Sequence, residues 1–451
     1  MGEIITIKDK LFEYIKAGDI SRAKTLFQDR DEKVEEALRQ ADPEKHKIMM
    51  RRDKSRKKSE PYITEKLPRN WQNYINEVAL FFLLGKPIEW TELSGEESVS
   101  EAFGEFKKFL SNTRFNSNMR TVKRLAGKET ECAKLYHLFD DDGVPGVKTI
   151  ILSKSNGYSI RPMFDRYNNM IAFAYGYNLK EIDKTIEHFD IYTPKTNYFC
   201  RRANTGWEVE ERINILGKIP VIYYKQDVEW KGAQHRIERD EYIDSITADT
   251  NNYFADPIAK ITVDCEKSLP NPEQVGRIVK LNDKDSVFEY LSPPTATDMK
   301  DGEKEVIRST ILNDTFTPDF SFENLSGMGS LSGEALKRAL ILGYIKADNR
   351  KEIYDELVDR EKNIILSIMR EVTHIRLRNS IDKMEVHHEF AEPFDQDTEN
   401  TWTAIRNCYV DGVMSLETAV KRIGVANTAE EVAAIQAEKN LNAENEFYPV
   451  D

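Results

Sequence analysis

The chain has 451 residues, 40% of them hydrophobic and 32% charged, with 78 acidic against 65 basic side chains and a formal net charge of −13. That supplies enough apolar material for a core, and so acidic a balance excludes a protein whose task is to grip nucleic acid, because neutralising phosphates takes an excess of Lys and Arg. No basic segment followed by an apolar run opens the chain and no stretch is apolar for the length of a bilayer, so neither secretion nor a membrane span is expected.

The first forty or so residues read as short amphipathic helices, with apolar residues at three- and four-residue spacing in "SRAKTLFQ" and "KVEEALRQ". The one dense basic run, Arg51 to Lys58, reads as a mobile solvated segment, with contact to DNA or an anionic partner as the minority alternative. "KLPRNWQNYINEVALFFLLGKPIEW" pairs an Asn70 cap with an apolar stripe and a Gly85-Lys86-Pro87 stop, which makes a buried helix. One further helix is expected over "SEAFGEFKKFLSNTRFNSNMRTVKRLAG". From Cys132 to Lys225, runs rich in Tyr, Ile and Val read as antiparallel β-structure, with Ser155-Asn156-Gly157 marking a hairpin.

A charged helix follows, with Ile237, Tyr242, Ile246 and Tyr253 among carboxylates and an end near Asp256-Pro257. Residues 258–296 contain short strands, and "DGEKEVIRSTILNDT" is helical again, so a small β-rich piece is held between two helices. The stretch "SFENLSGMGSLSGEALKRALILGYIKA" then places Gly327, Gly329 and Gly333 ahead of a helical pattern over 333–378, within which Gly343 is a plausible bend point. "KMEVHHEFAEP" returns as a strand, and the tail is helical with a break at Gly412 and a cap at Ser415.

Several chemistries fail on inspection. A glycine-rich loop before a helix suits a phosphate, yet Gly333 is followed by Glu334 and Ala335, not by the lysine that a nucleotide loop requires. A dinucleotide fold needs a buried strand before the glycines, whereas "NDTFTPDFSF" is polar and contains Pro318; the plain alternative is a surface loop ending in a Ser332 cap. His387 and His388 are neighbours on a strand and point to opposite faces, so they cannot chelate one metal together. Asp140-Asp141-Asp142-Gly143 lacks the spaced ligands of a calcium loop and reads as an exposed turn. Cys132, Cys200, Cys265 and Cys408 are scattered without a C-x-x-C pair, which fits a reducing cytoplasm and indicates neither zinc nor disulfides. No catalytic residue, cofactor or metal ligand is singled out, and the chain is not expected to be an enzyme.

In order along the chain, "LPRNWQNYINEVALFFLLGKPIEW", "GKIPVIYYKQ", "DEYIDSITADTNNYFADPI", "LSGEALK" and "GVMSLETAVKRIG" resemble bacteriophage portal proteins of the long-tailed phage type. The resemblance implies an α+β portal fold in which residues 1–234 with 334–394 form the wing, and 235–256 and 297–316 the two stem helices. It assigns 257–296 to the clip, 317–333 to the tunnel loop and 395–451 to the crown. It also implies a cyclic ring of about twelve copies at the capsid vertex, a conduit for packaging and ejection of double-stranded DNA without sequence specificity. Implied partners are the terminase large subunit, head-completion or adaptor proteins, and the major capsid and scaffolding proteins. The protein would reside in the virion after assembly in the host bacterial cytoplasm, with no membrane.

In that frame Asn324, Leu325, Ser326, Gly327, Met328, Gly329, Ser330, Leu331 and Ser332 line the DNA channel, with Gly333 and Gly343 as helix start and bend. Ile243, Ile246, Ile307 and Ile311 are expected between stem helices of neighbouring subunits, and Glu266, Lys267, Asn271, Glu273, Lys284 and Asp285 on the clip's partner-facing surface. The loop carries no positive charge, so an uncharged constriction within an acidic wall is expected to let a polyanion slide. Alternatives are a structural or adaptor protein of non-portal type and an unrecognised nucleotide-binding or metal-dependent enzyme.

Overall fold

The computed structural model describes residues 6–57, 60–181, 184–255, 259–261, 288–290, 297–321, 324, 337–394, 398–424 and 428–447. Helices α1 (Ile7–Lys16), α2 (Ile20–Lys24) and α3 (Asp31–Ala41) come first, then a hairpin of β1 (Lys54–Lys57) and β2 (Glu60–Tyr62). They are followed by α4 (Trp71–Leu84), β3 (Ile88–Glu92), α5 (Glu97–Asn112) and α6 (Phe115–Glu129). The β-rich part comprises β4 (Glu131–Asp141), β5 (Val144–Leu152), β6 (Ser159–Phe164), β7 (Met170–Glu181), β8 (Lys184–Tyr192), β9 (Thr196–Ala203), β10 (Gly206–Ile213) and β11 (Val221–Lys225). After it come α7 (Gln234–Ala255), β12 (Ala259–Ile261), β13 (Phe288–Tyr290), α8 (Thr297–Asp314), α9 (Ile341–Ile368), α10 (Arg378–Lys383) and β14 (Val386–Phe390). The tail holds α11 (Thr398–Val410), α12 (Leu416–Ile423) and α13 (Thr428–Phe447).

The chain divides into two compact units, Met1–Asp319 with Ile341–Ala391, and Phe320–Leu340 with Glu392–Asp451. In the first, period-two alternation of side chains builds the layers. Alternate residues Ala133 and Leu135 of β4 and Val221 and Tyr223 of β11 face the five-stranded antiparallel sheet β10-β9-β8-β7-β6, meeting Ile160, Phe173 and Tyr192. Their neighbours Cys132, Tyr136, Ile222 and Tyr224 face the other way, into a core with α4, α5, α6 and α9. The far face of the five-stranded sheet is covered by α1 and α2, through Leu11, Ile15, Ile20 and Phe27 on Ala172, Ala174 and Ile191. The mixed helix-and-sheet architecture is therefore the one expected.

Several local expectations change. The helix expected over residues 100–127 is two helices, because Arg114 turns into the left-handed region at φ 52°. Ser155-Asn156-Gly157 does turn, with Gly157 at φ 86°, but it joins β5 of the three-stranded sheet β11-β4-β5 to β6 of the other sheet and so makes no hairpin. A two-residue hairpin does lie at Asp142-Gly143, between β4 and β5, whose φ values of 51° and 87° suit a type I′ turn. The long helical pattern breaks after Ile368 in a π-helical turn, Met369–Thr373, before α10. The basic run contributes β1 to a hairpin instead of remaining an irregular segment.

The second unit carries α11 to α13. Gly412 has φ 73° between α11 and α12, and the Ser415 hydroxyl caps α12 by accepting from the Thr418 N–H at 3.2 Å. Lys439 of α13 reaches the Tyr409 hydroxyl of α11 at 2.9 Å.

Candidate functional site

Helices α7 and α8 pair antiparallel. Arg236 meets Asp314 at one end, and Asp244 meets Lys304 at 2.6 Å further along. Beyond them the ends of the inserted segment are joined by β12 and β13, with Ala259 opposite Tyr290 and Ile261 opposite Phe288. Two helices thus lead out to a two-stranded neck and back.

The acidic character of α7 is spent within the chain. Residues at helical spacing on it hold the strap that runs from His46 to Trp71. The Glu65 N–H donates to Asp249 at 2.8 Å, the Leu67 N–H to the Ser245 hydroxyl at 3.0 Å and the Arg69 N–H to Glu241 at 2.9 Å. The Trp71 indole donates to Asp240 at 3.0 Å, and Arg51, from the basic run, pairs with Asp249 at 2.7 Å. His46 is buried between the Glu241 carboxylate at 2.5 Å and the Gln40 carbonyl at 2.8 Å. Since both partners only accept, the ring must donate from both nitrogens and is an imidazolium. Burial works to lower its pKa, but the Glu241 carboxylate and the Gln40 carbonyl raise it overall. These carboxylates of α7 are therefore largely committed to their own subunit.

At the base of the helix pair the chain leaving α8 is pinned. The Thr315 carbonyl accepts from the Lys346 ammonium of α9 at 2.9 Å, the Pro318 carbonyl accepts from the Tyr74 hydroxyl at 2.9 Å, and the Arg308 Nη2 donates to both Asp319 oxygens at 3.0 and 2.9 Å. A lysine on the last carbonyls of a helix also favours its negative dipole end. Below it lies a buried ion cluster in which Glu229 meets Lys123, Arg350 at 3.1 Å and Lys346 at 3.5 Å. Burial works to raise the Glu229 pKa, but these cations outweigh it and hold the carboxylate well below its ordinary range. Burial brings the pKa of Lys123 down and draws that of Lys346 down to about 8. A second buried carboxylate on α9, Glu361, meets Lys134 at 2.6 Å, the Tyr224 hydroxyl at 2.8 Å and the Tyr136 hydroxyl.

Ile243, Ile307 and Ile311 do not await a neighbouring subunit. They are buried inside the chain with Ile75, Trp230 and Ile237, because α4 and the turn before α7 cover that face; Ile246 is half-buried. Exposed apolar side chains on α8 are instead Met299 and Val306, at 80% and 64% exposure and two helical turns apart. Gly343 is buried within continuous α9. A Cβ there would fall inside the van der Waals radius of the Phe82 ring of α4, and the next residue, Tyr344, packs on the same ring at 5.4 Å. Close helix approach explains this glycine.

Asn324 is helical and exposed, while Leu325, Ser326, Gly327, Met328, Gly329, Ser330, Leu331, Ser332 and Gly333 lie outside the described residues. So do Glu266, Lys267, Asn271, Glu273, Lys284 and Asp285. On β14, His387 is exposed and His388 buried, on opposite faces, and among the described residues no group of His, Cys, Asp and Glu is placed to hold a metal. No described helix is long and apolar enough to cross a membrane. The cluster of Lys123, Glu229, Lys346 and Arg350 was missed. Its only trace in the sequence is that Gly343, Lys346, Arg350 and Tyr354 share one face of a helix.

The sequence profile of the family described as "Phage portal protein, SPP1 Gp6-like" matches residues 14–445. Among solved structures, a chain from "Neck of empty GTA particle computed with C6 symmetry" aligns at a TM-score of 0.43 and 10% identity, over 79% of this chain and 89% of that one. No curated protein matches the chain.

Proposed function

The chain belongs to the SPP1 Gp6-like phage portal protein family, whose profile spans residues 14–445, and from that membership we propose that it assembles into the ring through which the genome enters and leaves the capsid. Portal proteins are structural components of the particle, and this chain is a virion protein in that sense. The ring contains about twelve copies in cyclic symmetry.

The observation that carries the assignment of parts is the insertion at residues 257–296, reached by α7 and left by α8 through the neck of β12 and β13. We assign α7 and α8 to the stem and this insertion to the clip, which docks the terminase during packaging and head-completion proteins afterwards. Residues 1–234 and 334–394 form the wing and 395–451 the crown. Residues 317–333 form the tunnel loop that touches passing double-stranded DNA, its approach held still by Lys346, Tyr74 and Arg308. Contact is steric and weakly polar, since residues 324–333 carry no charge.

Electron microscopy of the purified full chain, with sizing on a column, tests this. Closed rings with a central hole are expected; monomers or compact globules under every assembly condition overturn it.

A further inference from the structure

Between the turn that carries Lys218 and the middle of α9 lies a cleft of about 570 Å³, lined by Met170, Pro194, Lys218, Glu356, Arg360 and Asn363 among others. Arg360 is half-buried in it. Among the described residues no carboxylate lies within ion-pair distance of its guanidinium and no acceptor takes a hydrogen bond from it; burial lowers its pKa and Glu356 acts on it only from further off. Lys218, at the rim, finds only the Asn363 carbonyl at 3.4 Å, and burial with the nearby charge of Arg370 draws its pKa down. Asp359, which also lines the cleft, is already engaged by Lys362 at 2.6 Å and His388 at 3.4 Å.

Keeping a guanidinium partly out of water with its donors unmatched costs free energy that nothing inside the chain returns. Its planar fork matches paired oxygens of a carboxylate or a phosphate, and Lys218 and the Asn363 amide add donors beside it. We propose that this cleft is a carboxylate-binding site that takes an Asp or Glu side chain from an acidic peptide of a partner chain. Nucleic acid fits it less well, because Lys218 and Arg360 are, among the described residues, the only cations lining this open cleft, enough for a single carboxylate but no continuous basic track for successive backbone phosphates.

Fluorescence anisotropy on the full chain at low salt tests the site, with labelled tetraglutamate amide, tetraglutamine amide and a short DNA duplex as probes. Tetraglutamate is expected to bind saturably and tetraglutamine not. Arg360→Gln should weaken tetraglutamate binding about tenfold or more, Lys218→Gln should weaken it less, and Arg166→Gln, on an exposed turn, should leave it unchanged. Arg360→Lys keeps the charge but not the fork, should fall between, and with Lys218→Gln carries the comparison if Arg360→Gln melts early. The proposal is overturned by equal binding in the Arg360 and Lys218 variants, by equal binding of tetraglutamine, by no binding at millimolar tetraglutamate, or by Arg360-dependent binding of DNA alone.

Discussion

The ammonium of Lys346 in α9 donates to the Thr315 carbonyl at the end of α8, 2.9 Å away. Elements that precede and follow the glycine-rich segment are thereby fastened to each other beside a buried carboxylate, Glu229. Because burial draws the Lys346 pKa down to about 8 from an ordinary 10.5, the unfolded chain holds that proton more tightly. The cost is fully present below pH 8 and lifts as pH rises toward 10.5, so this group makes stability rise with pH across that window, by at most about 3 kcal/mol. Urea unfolding of wild type and Lys346→Met between pH 7.5 and 10 should show a steeper rise in wild type, the buried Lys123 contributing to both; parallel curves would remove Lys346 from the account.

His46 titrates with the opposite sign. Its pKa is raised by Glu241 and Gln40 against the pull of burial, so its contribution is complete below the unfolded value near 6.5 and is lost as pH climbs through the folded one. The stability advantage of wild type over His46→Gln, about 1–3 kcal/mol at pH 6, should shrink by pH 9. An advantage that does not change with pH would mean that the ring is neutral and acts by packing alone.

Gly343 separates two explanations of one residue. If the glycine serves close approach of α9 to Phe82, Gly343→Ala should destabilise by about 1–2 kcal/mol, overpacking outweighing the gain in helix propensity. Phe82→Leu in the same chain should recover part of the loss. If the glycine serves only as a bend, alanine should stabilise by about 1 kcal/mol, and thermal melts decide.

What was readable in the sequence follows what leaves a local pattern. The continuous β-branched and aromatic run of β11, buried on both faces, and the apolar spacing in α4 announced strand and helix because burial imposes those patterns. The Thr113-Arg114 break left no Gly or Pro, since an exposed arginine takes the left-handed turn there, held by local bonds from the Arg114 N–H to the Ser111 carbonyl at 3.0 Å and from the Asn118 amide to the Thr113 carbonyl at 2.8 Å. Ile243 and Ile307 looked orphaned because Ile75 and Trp230, which cover them, lie far away in sequence or outside their helices. The Glu229 cluster gathers residues more than two hundred positions apart, which no single-sequence spacing reports.

That correction moves the assembly test. Ile307→Asp places a charge in the chain's own core and should destabilise the isolated subunit by about 3 kcal/mol or more. Val306→Asp, on the exposed side of α8, should leave the subunit's melting temperature within a degree or two while reducing ring recovery on a sizing column. Full ring yield from Val306→Asp would show that this side of α8 meets no neighbour.

The last prediction concerns Gly327 and Gly329, which the proposed function places in the channel. The chain is pinned as far as Asp319 by Lys346, Tyr74 and Arg308, so any rearrangement on passage of DNA must be taken up beyond that point. Proline at both glycines fixes φ and removes two N–H donors without touching the stem pair or the buried cluster. Gly327→Pro with Gly329→Pro should therefore assemble rings as wild type does and lose DNA packaging or retention, scored as full against empty particles. Lys346→Met, which loosens the anchor and leaves both glycines in place, should lower ring stability first. ATP should bind neither ring, because the lysine of a phosphate loop is missing after Gly333. Normal packaging by the double-proline ring would leave the glycines as a plain approach to the Ser332 cap. Failure of assembly in that ring, with Lys346→Met intact, would instead assign residues 324–332 to holding subunits together.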